Sequence, residues 1–339
     1  MSTTITVAGI DASQIAPHSQ PTYEDHADGG CGVARWEWQL PKVHGGAATT
    51  RGAKVVISAW GHPVYFGELD TIADGEVTCR GKWAAGETIA ALDGSGMATR
   101  DVGTALAANM ARWGITNRAG VSGVVSGDDG DPQMMTDLLG QYASQSGRYI
   151  GVDAAGDLYY RQDSTIPRWY IHAGDVDLGG SDALSYSRLI GRHRDMTGTL
   201  QTAYSSGSVA PHVDGLVDLV GPDANGRKWG RMTGVDATAI LTNLLTKVGL
   251  KPTWTTTLDL HASQVTTRGG VPANLDAIRA CDRARIHSLT ASQQAAFGAP
   301  YIDVTLGTVT RTTGTPMIQI GPTGSTPQTL EAALGQVGR

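Results

Sequence analysis

Glu24, Asp25, His26, Asp28 and Cys31 gather five metal-capable side chains within eight positions. A loop of that kind could hold a metal if a second segment supplied partners. No known ligand spacing is present, so a solvated loop is the simpler reading. Asp128, Asp129 and Asp131 invite a calcium reading, but an EF-hand loop needs a bidentate glutamate at its last position, and Gln141 and its neighbours give none. Asp131, followed by Pro132, reads better as the cap of a helix.

Glutamates are few: Glu24, Glu37, Glu68, Glu76, Glu87 and Glu331. A pair of carboxylates at the right separation could hydrolyse glycosides. Glu37 lies between Trp36 and Trp38, a setting in which indole faces could stack on sugar rings. On a strand, however, Trp36 and Trp38 share parity and point together, which favours core or interface packing.

Arg188, Arg192 and Arg194 also share parity, in LSYSRLIGRHRD, and form the clearest cationic row in the chain; Asp195 falls on the other face. Such a row could line a channel, pair across a subunit contact, bind phosphate, or stand solvated. GxSxG, HExxH, Walker A and dinucleotide GxGxxG patterns are absent, and Gly94-Ser95-Gly96 reads as a linker. No cofactor is implied.

The elements that must position these residues are mostly short strands. Val55 to Ala59 alternates, Gly61, His62 and Pro63 interrupt it, Val64 to Leu69 resumes, and Asp74-Gly75 predicts a type I′ hairpin returning through Glu76 to Arg80. RWEWQL alternates likewise. Val102, Leu106, Met110 and Trp113 predict a helix closed by Gly114, and Met135, Leu138, Leu139 and Tyr142 a second one after Asp131-Pro132. GRYIGVDAAGDLYY predicts a hairpin turning at Asp153 to Gly156, and Asp236 to Gly249 a third helix. The chain therefore divides into a β-rich domain at 1–95, an α/β helix-hairpin unit at 96–170, a second β-rich domain with an inserted helix at 171–330, and a tail at 331–339. Many short strands per half fit small barrels or sandwiches, giving a mainly β fold with α/β insertions.

Composition agrees. Glycine numbers 45 of 339 residues, scattered without a period, which suggests many tight turns. Only 17% of residues are charged, so the surface is polar but charge-poor, as burial in an assembly would favour. The net charge of −6 argues against a dedicated nucleic-acid binder. Cys31, Cys79 and Cys281 lie far apart without CxxC spacing, so reduced thiols and cytosolic synthesis are expected. No run approaches the roughly 18 apolar residues of a membrane span, and MSTTITVAG lacks the features of a signal peptide.

VYFGELDTIADGEVTCRG, QMMTDLLGQYASQSGRYIGVDAAGDLYYRQD, HVDGLVDL, DATAILTNLLTKVGLKPTWTTTLDL, GGVPANLDAIRACDRARIHSL, YIDVTLGTVT and the final PQTLEAAL follow one another along the chain from about Gly30 onward. Their order resembles the tail-hub proteins, often called minor tail proteins, of siphophages infecting actinobacteria. One departure is Cys281-Asp282, where the family frequently has Gly-Asp, which places the geometry of that turn in question. The resemblance implies two related β-barrel domains with smaller α/β pieces and a homotrimeric ring at the tail tip of the virion. It also implies a structural, non-enzymatic role next to the distal tail protein, the tape measure protein and other tip proteins, around the path of phage DNA. Synthesis in the host cytoplasm follows. No terminal peptidoglycan-degrading module is expected. Trp36, Trp38 and Trp60 then become packing or interface aromatics, and Arg188, Arg192 and Arg194 channel or interface residues. The rival readings are a cell-wall glycan-binding module using the same three tryptophans, and a cell-wall hydrolase using Glu37.

Overall fold

The computed structural model describes residues 3–39, 46, 49–125, 132–162, 164–174, 178, 188–206, 214–220, 229–248, 254, 256–297 and 299–323. The expected cap Asp131 and its neighbours Asp128 and Asp129, the helix stop Gly249 and the final PQTLEAAL lie outside them.

The N-terminal wall is built from β1 (Thr3–Val7), β2 (Ile10–Asp11), a short helix α1 (Ala12–Ile15), β3 (Thr22–His26), β4 (Gly29–Glu37), β5 (Lys54–Ala59), β6 (His62–Ala73) and β7 (Glu76–Gly81). Alternation along β5 sends Val55, Ile57 and Ala59 inward, where they meet Ile5, Val7, Tyr65, Leu69, Val77 and both Trp36 and Trp38. The β6–β7 hairpin turns at Asp74-Gly75 with φ of 50° and 88°, as the sequence predicts. The preceding turn differs from expectation. Trp60-Gly61 makes it, with φ of 56° and 77°, and β6 starts already at His62; Pro63 lies inside the strand opposite a register shift at Ile57/Ser58. A bulge is where a strand tolerates a residue without an N–H donor.

The middle unit contains α2 (Lys82–Ala85), α3 (Val102–Trp113), α4 (Met135–Gln145), β8 (Tyr149–Val152) and β9 (Leu158–Arg161). Helix α3 begins where Asp101 accepts the Thr104 N–H at 2.6 Å and ends at left-handed Gly114. Helix α4 starts three residues later than a Pro132 start would give, with Met134 as its cap and no side-chain cap bond. The reason is backbone pairing. Gln133 accepts from the Ala91 N–H, Met134 bridges Ala90, and the Met135 N–H goes to the Ile89 carbonyl, so residues 133–134 are held extended. Both helices pack on β8 and β9 through Leu106, Trp113, Leu138, Leu139 and Ile150.

The remainder comprises β10 (Trp169–His172), β11 (Arg188–Arg194), β12 (Leu200–Tyr204), β13 (Asp214–Asp218), α5 (Gly234–Val248), β14 (Leu258–His261), β15 (Val265–Thr267), β16 (Arg283–His287), α6 (Ala291–Phe297), β17 (Ile302–Thr312) and β18 (Met317–Pro322). Here the chain departs from a single β-rich body with an inserted helix. Strands β12-β11-β13 form their own three-stranded sheet, backed by α5, with a separate core of Leu189, Ala203, Val217, Ala237, Leu241 and Leu244. Thr233 caps α5: its hydroxyl accepts the Asp236 N–H while the Asp236 carboxylate accepts from Thr233, so Asp236 sits inside the first turn instead of capping it.

All other strands join one curled fifteen-stranded sheet, in the order β15-β10-β16-β17-β3-β4-β7-β6-β5-β1-β2, with β18 and β14 branching from β17, and β8 and β9 from β4. The two β-rich halves meet at the antiparallel pair β3–β17, registered Thr22↔Thr312 to His26↔Thr308. Each half keeps its own core on this shared sheet, one around Trp36 and Trp38 and the other around Trp169, Trp254, Leu260, Ile286 and Ile320.

Candidate functional site

The segment holding Glu24, Asp25, His26, Asp28 and Cys31 is not a loop. It is the β3–β4 hairpin at the seam between the halves. Strand alternation separates the groups: Glu24 pairs with His26 at 3.3 Å on one face, while Asp25 turns inward opposite Cys31. Among the described residues no three His, Cys, Asp or Glu side chains come together as a metal site.

Asp25 instead faces a cavity of about 180 Å³ where three units meet, lined also by Cys31, Asp153, Tyr159, Arg161 and Arg279. One oxygen of Asp25 accepts the Ala280 N–H at 3.0 Å. Burial raises the Asp25 carboxyl above its ordinary range, against the pull of Arg279, the Ala280 N–H, His26 and Arg161. Burial likewise raises the Cys31 thiol, so it is held protonated. Tyr159 closes the joint by donating to the carbonyls of His26 at 3.0 Å and Ala27 at 2.8 Å.

Next to it lies Cys281. Its φ is 69°, the left-handed region that favours glycine, and its thiol contacts the Ala27 carbonyl at 3.4 Å. The position at which the resembled family shows glycine is thus one whose backbone asks for it. Asp282, the following residue, accepts from Trp169 Nε1 at 2.7 Å and from the Arg279 N–H at 3.0 Å.

Trp36 and Trp38 are buried, 3% and 1% exposed, and pack edge to face with centroids 6.2 Å apart. A sugar platform on these two rings is therefore overturned; shared parity put both into the core. Glu37 points to the other face, registered opposite Glu76 of β7. Trp60 stands at the tip of the β5–β6 hairpin, 53% exposed, with its indole N–H bonded to Asp276 at 3.1 Å. Asp276 in turn holds Arg311 at 3.0 Å, a pair with side chains 7% and 3% exposed. Sequence reading missed this triad, whose members lie far apart in the chain and carry no local pattern.

The arginine row of β11 does share one face, as parity predicts, but it is not a bare cationic stripe. Parallel pairing places Asp214 opposite Arg188 and Asp218 opposite Arg192. Arg188 grips Asp214 through two bonds of 2.7 Å, Arg192 reaches Asp218 at 2.9 Å, and Arg194 donates to the Gly198 carbonyl at 2.9 Å. A signal for this existed: Asp214 and Asp218 in HVDGLVDL repeat the four-residue spacing of Arg188 and Arg192. The opposite face of the sheet is closed by α5, so tightly at Gly191 that a Cβ there would lie 2.8 Å from Leu241.

No described helix is long and apolar enough to cross a membrane. No protein-family model and no curated protein matches the chain. Solved structures do. The 43 kDa tail protein of prophage MuSo2 from Shewanella oneidensis superposes with a TM-score of 0.57 at 10% identity, covering 98% of this chain and 99% of that one. A tail protein from Neisseria meningitidis MC58 gives 0.58 at 10% identity, covering 98% of both chains. Prophage tail protein gp18 from Listeria monocytogenes EGD-e gives 0.54 at 10% identity, covering 89% and 87%. At such identity the likeness is one of fold, which the chain shares with the first two of these tail proteins over 98% of its length.

Proposed function

We propose that this chain is a structural subunit of a siphophage tail tip, a hub of the kind found in actinobacteriophages, acting by assembly and without chemistry of its own. The observation that carries the reading is the whole-chain fold match to two tail proteins, over 98% of this chain in each case. A charge-poor composition of 17% charged residues also supports it, because surfaces buried between subunits are depleted in charge.

In this reading three copies form a ring in the virion, joining the tail tube and distal tail protein to the tape measure protein and other tip proteins around the DNA path. Residues 1–95 and 171–330 supply two barrel-like wall domains per copy, the second carrying the β12-β11-β13 sheet and α5 as a separate insertion, 96–170 a helix-hairpin unit between them, and 331–339 a tail. Two similar wall domains in each of three chains would meet a sixfold tube from above and a threefold tip below. Arg188, Arg192 and Arg194 belong to an interface between copies outside the ring contact, and Trp60 braces the hairpin that faces a neighbour.

Electron cryo-microscopy of intact tails, with this chain located by labelling, tests the reading. Three copies are expected, with both wall domains of each chain alternating around one ring. Six copies, or a ring using one domain per chain, overturns it.

A further inference from the structure

The outer face of the β12-β11-β13 sheet is patterned in two directions. Along the strands, β11 carries Arg188, Ile190, Arg192 and Arg194, and its neighbour β13 carries Asp214, Leu216 and Asp218 in matching register. Across the strands, Tyr204, Ile190 and Leu216 are registered partners and make an apolar bar between the two arginine–aspartate pairs. Leu216 is 76% exposed and Tyr204 and Leu200 52% each. Exposed leucine flanked by ordered ion pairs is an unusual use of a sheet face, since isolated surface pairs add little stability.

A partner for this face must offer carboxylates over the arginine column, cations over the aspartate column, and an apolar group over the bar. The same face on a second copy does so in one orientation. With the two-fold axis parallel to the strands and between β11 and β13, each Arg192 lies over the other copy's Asp218, each Arg188 over its Asp214, and Ile190 over Leu216. An axis perpendicular to the strands would set arginine on arginine and aspartate on aspartate. Centring the axis on β11 would do the same to the arginines. Charge thus selects a single arrangement.

We infer that this face is a self-complementary docking surface whose occupant is a second copy of this chain, packed sheet on sheet with parallel strands. The overlapping area follows from strand spacing, roughly 10 by 17 Å per copy. That falls below what a stable dimer needs, about 1,200 Å² in total, so the contact is weak alone and forms where copies are concentrated. It closes on itself by a two-fold and is separate from any ring, in which one patch meets a different one. It does not depend on the position of the chain in a tail.

Sedimentation of the purified chain at rising concentration, in low salt, tests this with two single variants, Arg192→Asp and Asp218→Arg. Each puts like charges face to face in a pair of identical copies, and each should weaken self-association at least about tenfold. Mixing the two variants restores opposite charges across the contact, although the pair within each chain stays broken. The mixture should associate within about threefold of the wild type, a difference worth under a tenfold step. Leu216→Glu should abolish association in every combination. Circular dichroism spectra matching the wild type establish that the variants fold. Equal association of wild type and both variants, or a mixture no better than its components, overturns the inference. So does a wild type that shows no association reaching into the millimolar range, which would leave the face to another tail component or to the chain's own segments.

Discussion

The indole N–H of Trp60 donates to Oδ2 of Asp276 at 3.1 Å across 216 positions of sequence. The other oxygen of Asp276 holds Arg311, itself registered opposite Tyr23 in the seam. The hairpin tip of one half is thereby fastened to a buried charge of the other. Because Asp276 is buried, a lost donor leaves its carboxylate short of a partner.

Trp60→Phe keeps an aromatic ring at the exposed hairpin tip and removes the indole N–H donor, so it should lower unfolding stability by about 1–2 kcal/mol, read from urea denaturation. Arg311→Met strands the Asp276 carboxylate and should cost about 3–5 kcal/mol. Equal effects of the two substitutions would mean that Arg311 is not the principal partner of Asp276.

Cys281 makes an opposite kind of prediction. Its left-handed φ of 69° costs a non-glycine residue about 1–2 kcal/mol, which glycine would recover while giving up a buried thiol. Cys281→Gly should therefore be close to neutral. Cys281→Val, branched at Cβ, should lose at least about 2 kcal/mol. Thermal denaturation of the two variants distinguishes them, and a glycine variant as damaged as the valine one would place the value of Cys281 in its thiol.

What could be read from sequence were features written locally. Parity put Trp36 and Trp38 together and aligned Arg188, Arg192 and Arg194; Asp74-Gly75 and Asp153 to Gly156 marked their turns; the stripe from Val102 to Trp113 and Gly114 marked a helix. What failed was decided at long range. Helix α4 starts at Met135 because residues 133–134 pair with 90–91, and Asp25 faces a cavity instead of open solvent because Arg279, Ala280 and the β8–β9 hairpin pack beside β3. The abundance of glycine was read as turns, yet at Gly81, in strand β7, any Cβ would overlap the Cys31 carbonyl of the adjacent strand β4. Composition cannot separate those two uses of glycine.

Leu138 checks the packing of the middle unit. It is fully buried between α4 and the β8–β9 hairpin, in the cluster that includes Leu106, Trp113 and Ile150. Leu138→Ala should cost about 2–5 kcal/mol, the range for leucine truncation in a close-packed core. Differential scanning calorimetry should show the loss; an unchanged midpoint would mean that the helix does not depend on this core.

Asp25 gives the seam a pH dependence with a definite sign. Burial raises its carboxyl in the folded chain above the unfolded value of about 3.9. Between those two values the folded chain binds more protons than the unfolded one, so stability falls as pH rises through that window and recovers as pH falls. At neutral pH the ionised carboxylate is a cost, offset in part by Arg279 and the Ala280 N–H. Asp25→Asn keeps an oxygen to accept from Ala280 and removes the charge. Relative to the variant, the wild type should gain stability as pH is lowered from 7 toward 4, and the variant should be at least as stable at pH 7. Urea midpoints measured for both chains across that range decide it. A difference that changes with the opposite sign would show that Arg279 and Arg161 outweigh burial and that the seam is held by an ionised Asp25, and one that stays constant with pH would show that the two cancel.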